Sequence, residues 1–116
     1  MKILVLGLEN EDRILSILRK DFPGVGFKKC RISDDLEAEG RDITALDSVK
    51  GIISVILIDE LGSLSPKVIE GSETLLTFRI LKSIGSIDSA RVIAVPEGAD
   101  PQEAVSGIKR IMKDLK

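Results

Sequence analysis

Asp59 and Glu60 come directly after an apolar stretch, Ile52–Ile58, that only Ser54 interrupts. A strand buried on both faces of a parallel sheet has this kind of sequence, and open α/β sheets bind their ligands at the carboxyl ends of such strands. A carboxylate in that position can bind a cation or take up a proton. Asp59 is therefore the first candidate for a functional residue.

A second set of polar residues follows the first apolar stretch, where Gly7 leads into Asn10, Glu11 and Asp12. In a parallel sheet these residues would reach the same edge as Asp59. Carboxylates that converge repel one another, so they spread into solvent, take up protons or bind a cation. Two interpretations stay open: a divalent metal site formed by Asp59, Glu11 and Asp12, or a solvated acidic edge whose acids favour the start of a helix.

Several kinds of site are excluded by missing residues. The chain has no histidine, so imidazole metal ligands and histidine-dependent nucleophiles are absent. Cys30 is the single cysteine, and neither a further glycine shortly after Gly7 nor a Gly-Lys-Ser/Thr motif is present to hold a phosphate. We expect neither dinucleotide nor P-loop triphosphate binding, and the residues by themselves identify no catalytic group.

The composition bounds the class of protein. The 116 residues fit one domain, 1–116, with an aliphatic core, because 43% of them are hydrophobic and the aromatic residues are three Phe. A net charge of −2 gives no general attraction for nucleic acid or an anionic membrane. We expect a soluble, cytoplasmic protein. The scarcity of Asn, Gln, Cys and Met beside abundant Lys and Glu is typical of proteins from hot habitats.

The first half of the chain predicts alternating elements. A strand at 3–6 precedes an amphipathic helix that ends at Pro23-Gly24. Residues 25–32 predict an edge strand carrying two lysines, and 33–40 predict an exposed loop. Apolar residues at 43, 46 and 49 then fit one face of a short helix that stops at Gly51, before the strand 52–58.

The second half continues the alternation. Residues 61–71 predict a connection, with a short extra strand at 67–70, and Ser72 can cap a helix that Gly85 closes. A last strand, Arg91–Val95, leads to Asp100-Pro101, a strong start signal for the final helix. The order predicts an α/β fold: a three-layer sandwich with a mostly parallel sheet of four or five strands, Rossmann/flavodoxin-like, in the order 2-1-3-4.

The segment from Gly7 to Asn10 resembles the Gly-x-Gly-Asn turn of hydrogenase maturation proteases, with Glu9 in place of the second glycine. These enzymes cleave a C-terminal peptide from the nickel-bearing large subunit of [NiFe] hydrogenases. The resemblance implies that Asp59 matches their metal-ligand Asp and that Glu11 or Asp12 stands for their first acidic ligand. Their metal-binding His has no counterpart here, so the resemblance implies a diverged relative: a peptidase-type hydrolase if active, otherwise a protein that binds a metalloenzyme precursor.

Two other hypotheses remain. The acidic residues after the first strand are also similar to the opening of receiver domains in two-component signalling, in which Asp59 would be the phosphorylated residue. The lysine that receivers carry after their fifth strand is missing. Alternatively, the protein is a non-enzymatic assembly module that meets another subunit, since amphipathic helices show the same periodicity in a core and in an interface. The oligomeric state does not follow from the sequence.

Overall fold

A computed structural model describes residues 1–59, 69 and 71–115. These residues include five strands, three α-helices and one short 3₁₀ helix at Leu36–Glu39. The strands are β1 (Lys2–Val5), β2 (Gly26–Lys29), β3 (Asp42–Val49), β4 (Ile56–Ile58) and β5 (Ser89–Pro96). The helices are α1 (Glu11–Asp21), α2 (Glu73–Ser83) and α3 (Pro101–Leu115).

The strands form one sheet in the order β2-β1-β3-β5-β4. The first four of these are mutually parallel, and β4 pairs antiparallel with β5. The long central pair, β3 and β5, is in register over its whole length, from Asp42 opposite Ser89 to Val49 opposite Pro96. The predicted α/β class with a mostly parallel sheet is therefore confirmed.

Each face of the sheet contributes to its own hydrophobic cluster. One cluster joins Ile3 and Val5 of β1 to residues of α1 and α3. The other joins Leu4 and Leu6 to Leu75 and Phe78 of α2. Successive residues of a strand point to opposite faces, so the alternation along β1 places helices on both sides of the sheet.

The start signals of α2 and α3 that were read from the sequence are confirmed. Ser72 is the N-cap of α2, and its Oγ accepts a hydrogen bond from the backbone N–H of Leu75 at 3.2 Å. Asp100 caps α3, since its Oδ2 accepts from the N–H groups of Gln102 and Glu103 at 3.1 and 3.2 Å. These bonds satisfy N–H groups that have no partner inside the helix.

The prediction of a helix at 43–49 is wrong, because this segment is β3, the central strand of the sheet. Ile43, Ala45 and Val49 belong to one core cluster and Leu46 to the other. A strand buried on both faces is apolar throughout, and its apolar residues then match a helical spacing by chance. Burial between two layers decides the conformation here.

The prediction that 52–58 is a central parallel strand is also wrong. Only Ile56–Ile58 is strand, and it lies antiparallel at the edge of the sheet, with Ile58 opposite Val92. A parallel neighbour needs a crossover of a dozen or more residues, and the connection from β3 to β4, residues 50–55, is far shorter. This replaces the predicted order 2-1-3-4.

Two smaller predictions concern connections. The loop predicted at 33–40 contains the 3₁₀ helix, whose Leu36 is buried against the sheet. The short strand predicted at 67–70 lies outside the described residues, except that Ile69 is helical. No helix within 1–59, 69 and 71–115 has the length and apolar character needed to cross a membrane.

Candidate functional site

A pocket of about 360 Å³ lies where β1 and β3 end side by side. The sheet continues from β1 to β2 on one side and from β3 to β5 on the other, so this is the place where the strand order reverses. Ligands of open α/β sheets bind at such a switch point. We call it the switch-point pocket; it is lined by Leu6, Gly7, Cys30, Arg31, Ile32, Asp47, Ser48, Gly71, Ser72, Glu73 and Thr74.

Asp47, near the end of β3, is the buried acid of this pocket. It is 6% exposed, and it lies opposite Ala94 of β5 in the sheet. Burial raises the pKa of Asp47 to about 6, although hydrogen bonds from the Thr74 side chain and the Ser48 backbone act to lower it. None of the ion pairs between described residues involves Asp47. The pocket thus contains a carboxyl group without a cationic partner in the described part of the chain.

The turn after β1 passes directly over this carboxyl group. Gly7 has a φ of 71°, and a β-carbon added to it would lie 3.0 Å from Asp47 Oδ1. Only glycine combines the left-handed backbone with so close an approach at low cost. Asn10, at the N-cap of α1, is also left-handed, with a φ of 54° and no capping bond from its side chain.

Glu9 fastens this turn to its surroundings. Its backbone N–H donates to Ser48 Oγ at 3.0 Å, and its Oε1 accepts from the backbone N–H of Gly98 at 2.6 Å. The turn after β1, the end of β3 and the loop after β5 are therefore connected by two hydrogen bonds. Gly7 and Asn10, predicted from the sequence as motif residues, lie at the edge of the sheet where ligands are expected.

Glu11 and Asp12, two of the three predicted metal ligands, are bound to a lysine. Lys29 Nζ lies 3.1 Å from Glu11 Oε1 and 2.5 Å from Asp12 Oδ1. The hydrogen bond and charge of Lys29 hold the pKa of Asp12 below its usual value. These contacts link the start of α1 to the end of β2, and the single charge of Lys29 offsets one of the two negative charges.

Asp59, the third predicted ligand, is exposed at the end of β4. Because β4 is antiparallel and Ile58 lies opposite Val92, the chain at Asp59 is running towards the amino ends of the parallel strands. Glu11 and Asp12 follow the carboxyl end of β1, so the fold does not bring Asp59 to their edge of the sheet. Within the described residues, no group of three or more His, Cys, Asp or Glu is arranged to hold a metal ion.

The sequence pattern does not single out Asp47, because the apolar spacing at 43–49 predicts a helix, on which one acid is ordinary. A signal was present. If the segment Ile43–Val49 is taken as a strand, Asp47 is its one charged residue. The other residues are apolar except for Thr44 and Ser48. A buried acid within a central strand is rare without a partner or a role.

No protein-family model matches the chain, and no match is found among curated proteins or among solved structures. The function must therefore be inferred from the pocket itself.

Proposed function

We propose that this protein is a diverged relative of hydrogenase maturation proteases, which binds a segment of a metalloenzyme precursor in the switch-point pocket. In this proposal the sheet and its helices form a three-layer, flavodoxin-like sandwich, and the protein acts in the cytoplasm. The observation that carries the proposal is the buried carboxyl group of Asp47 beneath the turn at Gly7.

Asp47 supports this proposal better than Asp59 does. In the family, a glycine-containing turn after the first strand and an acid at the end of a later strand build the site. Here Gly7 and Asp47 are in close approach, whereas Asp59 lies on the antiparallel edge strand. We therefore infer that Asp47, and not Asp59, has the role of the later acid in this proposal.

Binding without hydrolysis fits the residues present. The resemblance requires a histidine among the metal ligands, and the chain contains none. The two remaining acids, Glu11 and Asp12, are paired with Lys29. A divalent metal site remains a prediction from the sequence, and precursor binding does not depend on it.

The proposal can be tested with a peptide from the C-terminal end of a [NiFe] hydrogenase large-subunit precursor, titrated calorimetrically into the protein. We expect Asp47→Asn to weaken binding by about tenfold, because a bond to an ionised carboxylate is lost. Asp59→Asn is the matched control, an equal change at an exposed position, and should leave the affinity unchanged.

Absence of peptide binding by the unmodified protein would contradict the proposal. So would loss of binding in Asp59→Asn with full binding in Asp47→Asn. Titration with Ni²⁺, Zn²⁺ and Cd²⁺ separates the two forms of the hypothesis: metal-dependent cleavage of the peptide would show that the relative has kept its activity.

A second candidate, the assembly module, is favoured by the outer face of α2. Leu76 and Ile80 of α2 and Ile84 at its C-cap, four residues apart, are 41%, 51% and 67% exposed and form an apolar stripe. Apolar stripes on surfaces often mark protein contacts. We expect Ile80→Glu to reduce the mass measured by light scattering if this stripe mediates self-association, and a monomer at all concentrations would contradict that role. Among the described residues, no contact of Asp59 favours the receiver-like alternative.

A further inference from the structure

The switch-point pocket presents two opposite chemical features to one small volume. Its buried acceptor is the Asp47 carboxyl group, and another part of its lining is the first turn of α2, Ser72–Thr74. The volume of about 360 Å³ lies within the range of about 300 to 1,000 Å³ typical of small-ligand sites. A ligand in this pocket would be within reach of both features.

The first turn of α2 offers hydrogen-bond donors. Ser72 Oγ accepts a hydrogen bond from the N–H of Leu75, and the Ser72 carbonyl oxygen accepts one from the N–H of Leu76. The N–H groups of Glu73 and Thr74 have no acceptor among the described residues, as expected for the first positions of a helix. The exposed Arg31 lines the same pocket and adds a positive charge.

The buried Asp47 carboxyl group needs hydrogen-bond donors from a ligand, whereas the first turn of α2 needs acceptors. Asp47 accepts a hydrogen bond from Thr74 and has no cationic partner in the described part of the chain. A carboxylate taken out of water gains from any further donor that reaches it. Besides Asp47 and Arg31, the titratable groups of the lining are Cys30 and Glu73. Burial raises the pKa of the Cys30 thiol, which therefore stays neutral near pH 7.

Simple ions fit only half of this pocket. An anion would meet the N–H groups of α2 and Arg31 favourably but would be repelled by the carboxylates of Asp47 and Glu73. A cation would be attracted by Asp47 but repelled by the positive end of the helix dipole. A ligand that carries a carboxylate and an N–H group a few bonds apart satisfies both requirements.

We propose that the switch-point pocket binds the free C-terminal residue of a polypeptide. Its α-carboxylate would accept hydrogen bonds from the N–H groups of Glu73 and Thr74 and form an ion pair with Arg31. Its amide N–H would donate a hydrogen bond to Asp47. The inference rests on the proposed function for the identity of the polypeptide, a metalloenzyme precursor. It adds that the chain end, and not an internal segment, is recognised.

The test uses two probes that differ only at the carboxyl group, N-acetylglycine and N-acetylglycinamide, followed by backbone amide NMR. N-acetylglycine should shift the signals of Glu73 and Thr74, and the amide should bind at least about tenfold more weakly, since a charge-assisted contact is lost. Acetate is the control for a plain anion site. Equal shifts from acetate and N-acetylglycine, or equal binding of acid and amide, would overturn the inference.

Two variants test the assigned contacts. Arg31→Gln should remove most of the preference for the free acid, while Arg13→Gln, a change at an exposed arginine of α1 outside the pocket lining, should keep it. Asp47→Asn should weaken both probes alike, because both carry the amide N–H. An unchanged preference for the acid in Arg31→Gln, with no loss in Asp47→Asn, would contradict the assigned contacts.

Comparing the precursor peptide as a free C-terminal acid and as a C-terminal amide separates this inference from the proposed function. If the free-acid and amidated peptides bind equally, the precursor hypothesis stands and the recognition of the chain end is wrong. If N-acetylglycine binds at Glu73 and Thr74 but neither peptide binds, the pocket chemistry stands and the precursor is the wrong partner.

Discussion

Asp47 Oδ1 lies 3.0 Å from the position that a β-carbon on Gly7 would occupy. This contact joins two strand ends that are far apart in sequence, and it puts a backbone with positive φ directly above a buried carboxyl group. The room beside Asp47 and the positive φ both restrict which residue can stand at position 7. Their contributions to the free energy of unfolding can be separated by experiment.

We expect Gly7→Ala to lower the free energy of unfolding by about 2 to 3 kcal/mol. About 1 kcal/mol comes from the left-handed backbone, and the rest from the methyl group pushed against Asp47. Chemical denaturation monitored by circular dichroism measures the change. Gly85→Ala is the matched control, because Gly85 has a φ of 79° with nothing within 4 Å of its added β-carbon. Equal losses in the two variants would show that the Asp47 contact costs nothing.

The stability of the protein should depend on the ionisation of Asp47. Its pKa is about 6 in the folded protein, against about 3.9 for an unperturbed aspartate. Between these values the folded state binds more protons than the unfolded state, so this group lowers the stability as the pH rises from about 4 to about 6. Its contribution changes by up to about 3 kcal/mol and is constant above that range.

Asp47→Asn isolates this effect. Asp12, Glu39 and Asp88 have lowered pKa values and contribute in the opposite direction, but they are the same in both proteins. We expect the stability of Asp47→Asn relative to the unmodified protein to be greater at about pH 7.5 than at about pH 4.5. Urea denaturation at both pH values gives the difference. A difference that does not change with pH would contradict the raised pKa.

The N-cap of α2 should contribute to the stability of the protein. Ser72→Ala removes the hydrogen bond from Leu75 N–H to Ser72 Oγ, and we expect a loss of about 1 kcal/mol. Thermal and chemical denaturation measure it. Ser83→Ala, at the exposed last position of the same helix, should stay within about 0.5 kcal/mol of the unmodified protein. A larger loss in Ser83→Ala than in Ser72→Ala would refute the role of the cap.

Gly107 allows α3 to pack against the connection before β4. A β-carbon there would lie 2.6 Å from Val55 Cβ and Cγ2. Gly→Ala inside a helix normally stabilises by up to about 1 kcal/mol, so a net loss of about 1 to 2 kcal/mol in Gly107→Ala would measure the clash. Adding Val55→Ala should recover part of the loss in a double-mutant cycle. A stabilised Gly107→Ala protein would show that α3 moves aside easily.

Local signals in the sequence were sufficient for several elements. The Asp100-Pro101 start of α3, the Ser72 cap and the apolar stripe of α1 depend on neighbours within one or two turns. The lysines of β2 were expected at a sheet edge, where they lie. The caps and the helical stripe can be recognised from the sequence, because their partners are only a few residues away.

The candidate site depended on long-range contacts. Asp47 approaches Gly7, forty positions earlier in the chain, and it interacts with Thr74 of a later helix. Neither contact can be recognised from the residues next to Asp47 in the sequence. Asp59 and Asp47 both follow apolar residues, and the place and direction of their strands in the sheet distinguish them.

The sequence by itself determined the α/β class, most of the helix boundaries and the absence of histidine chemistry, because composition, caps and periodicity act locally. The tertiary structure decided that 43–49 is the central strand and that the following strand turns back at the edge. Strand order and direction follow from the burial of both sheet faces and from the length of connections between distant segments. For that reason the acid at the switch point is Asp47, while Asp59 lies elsewhere.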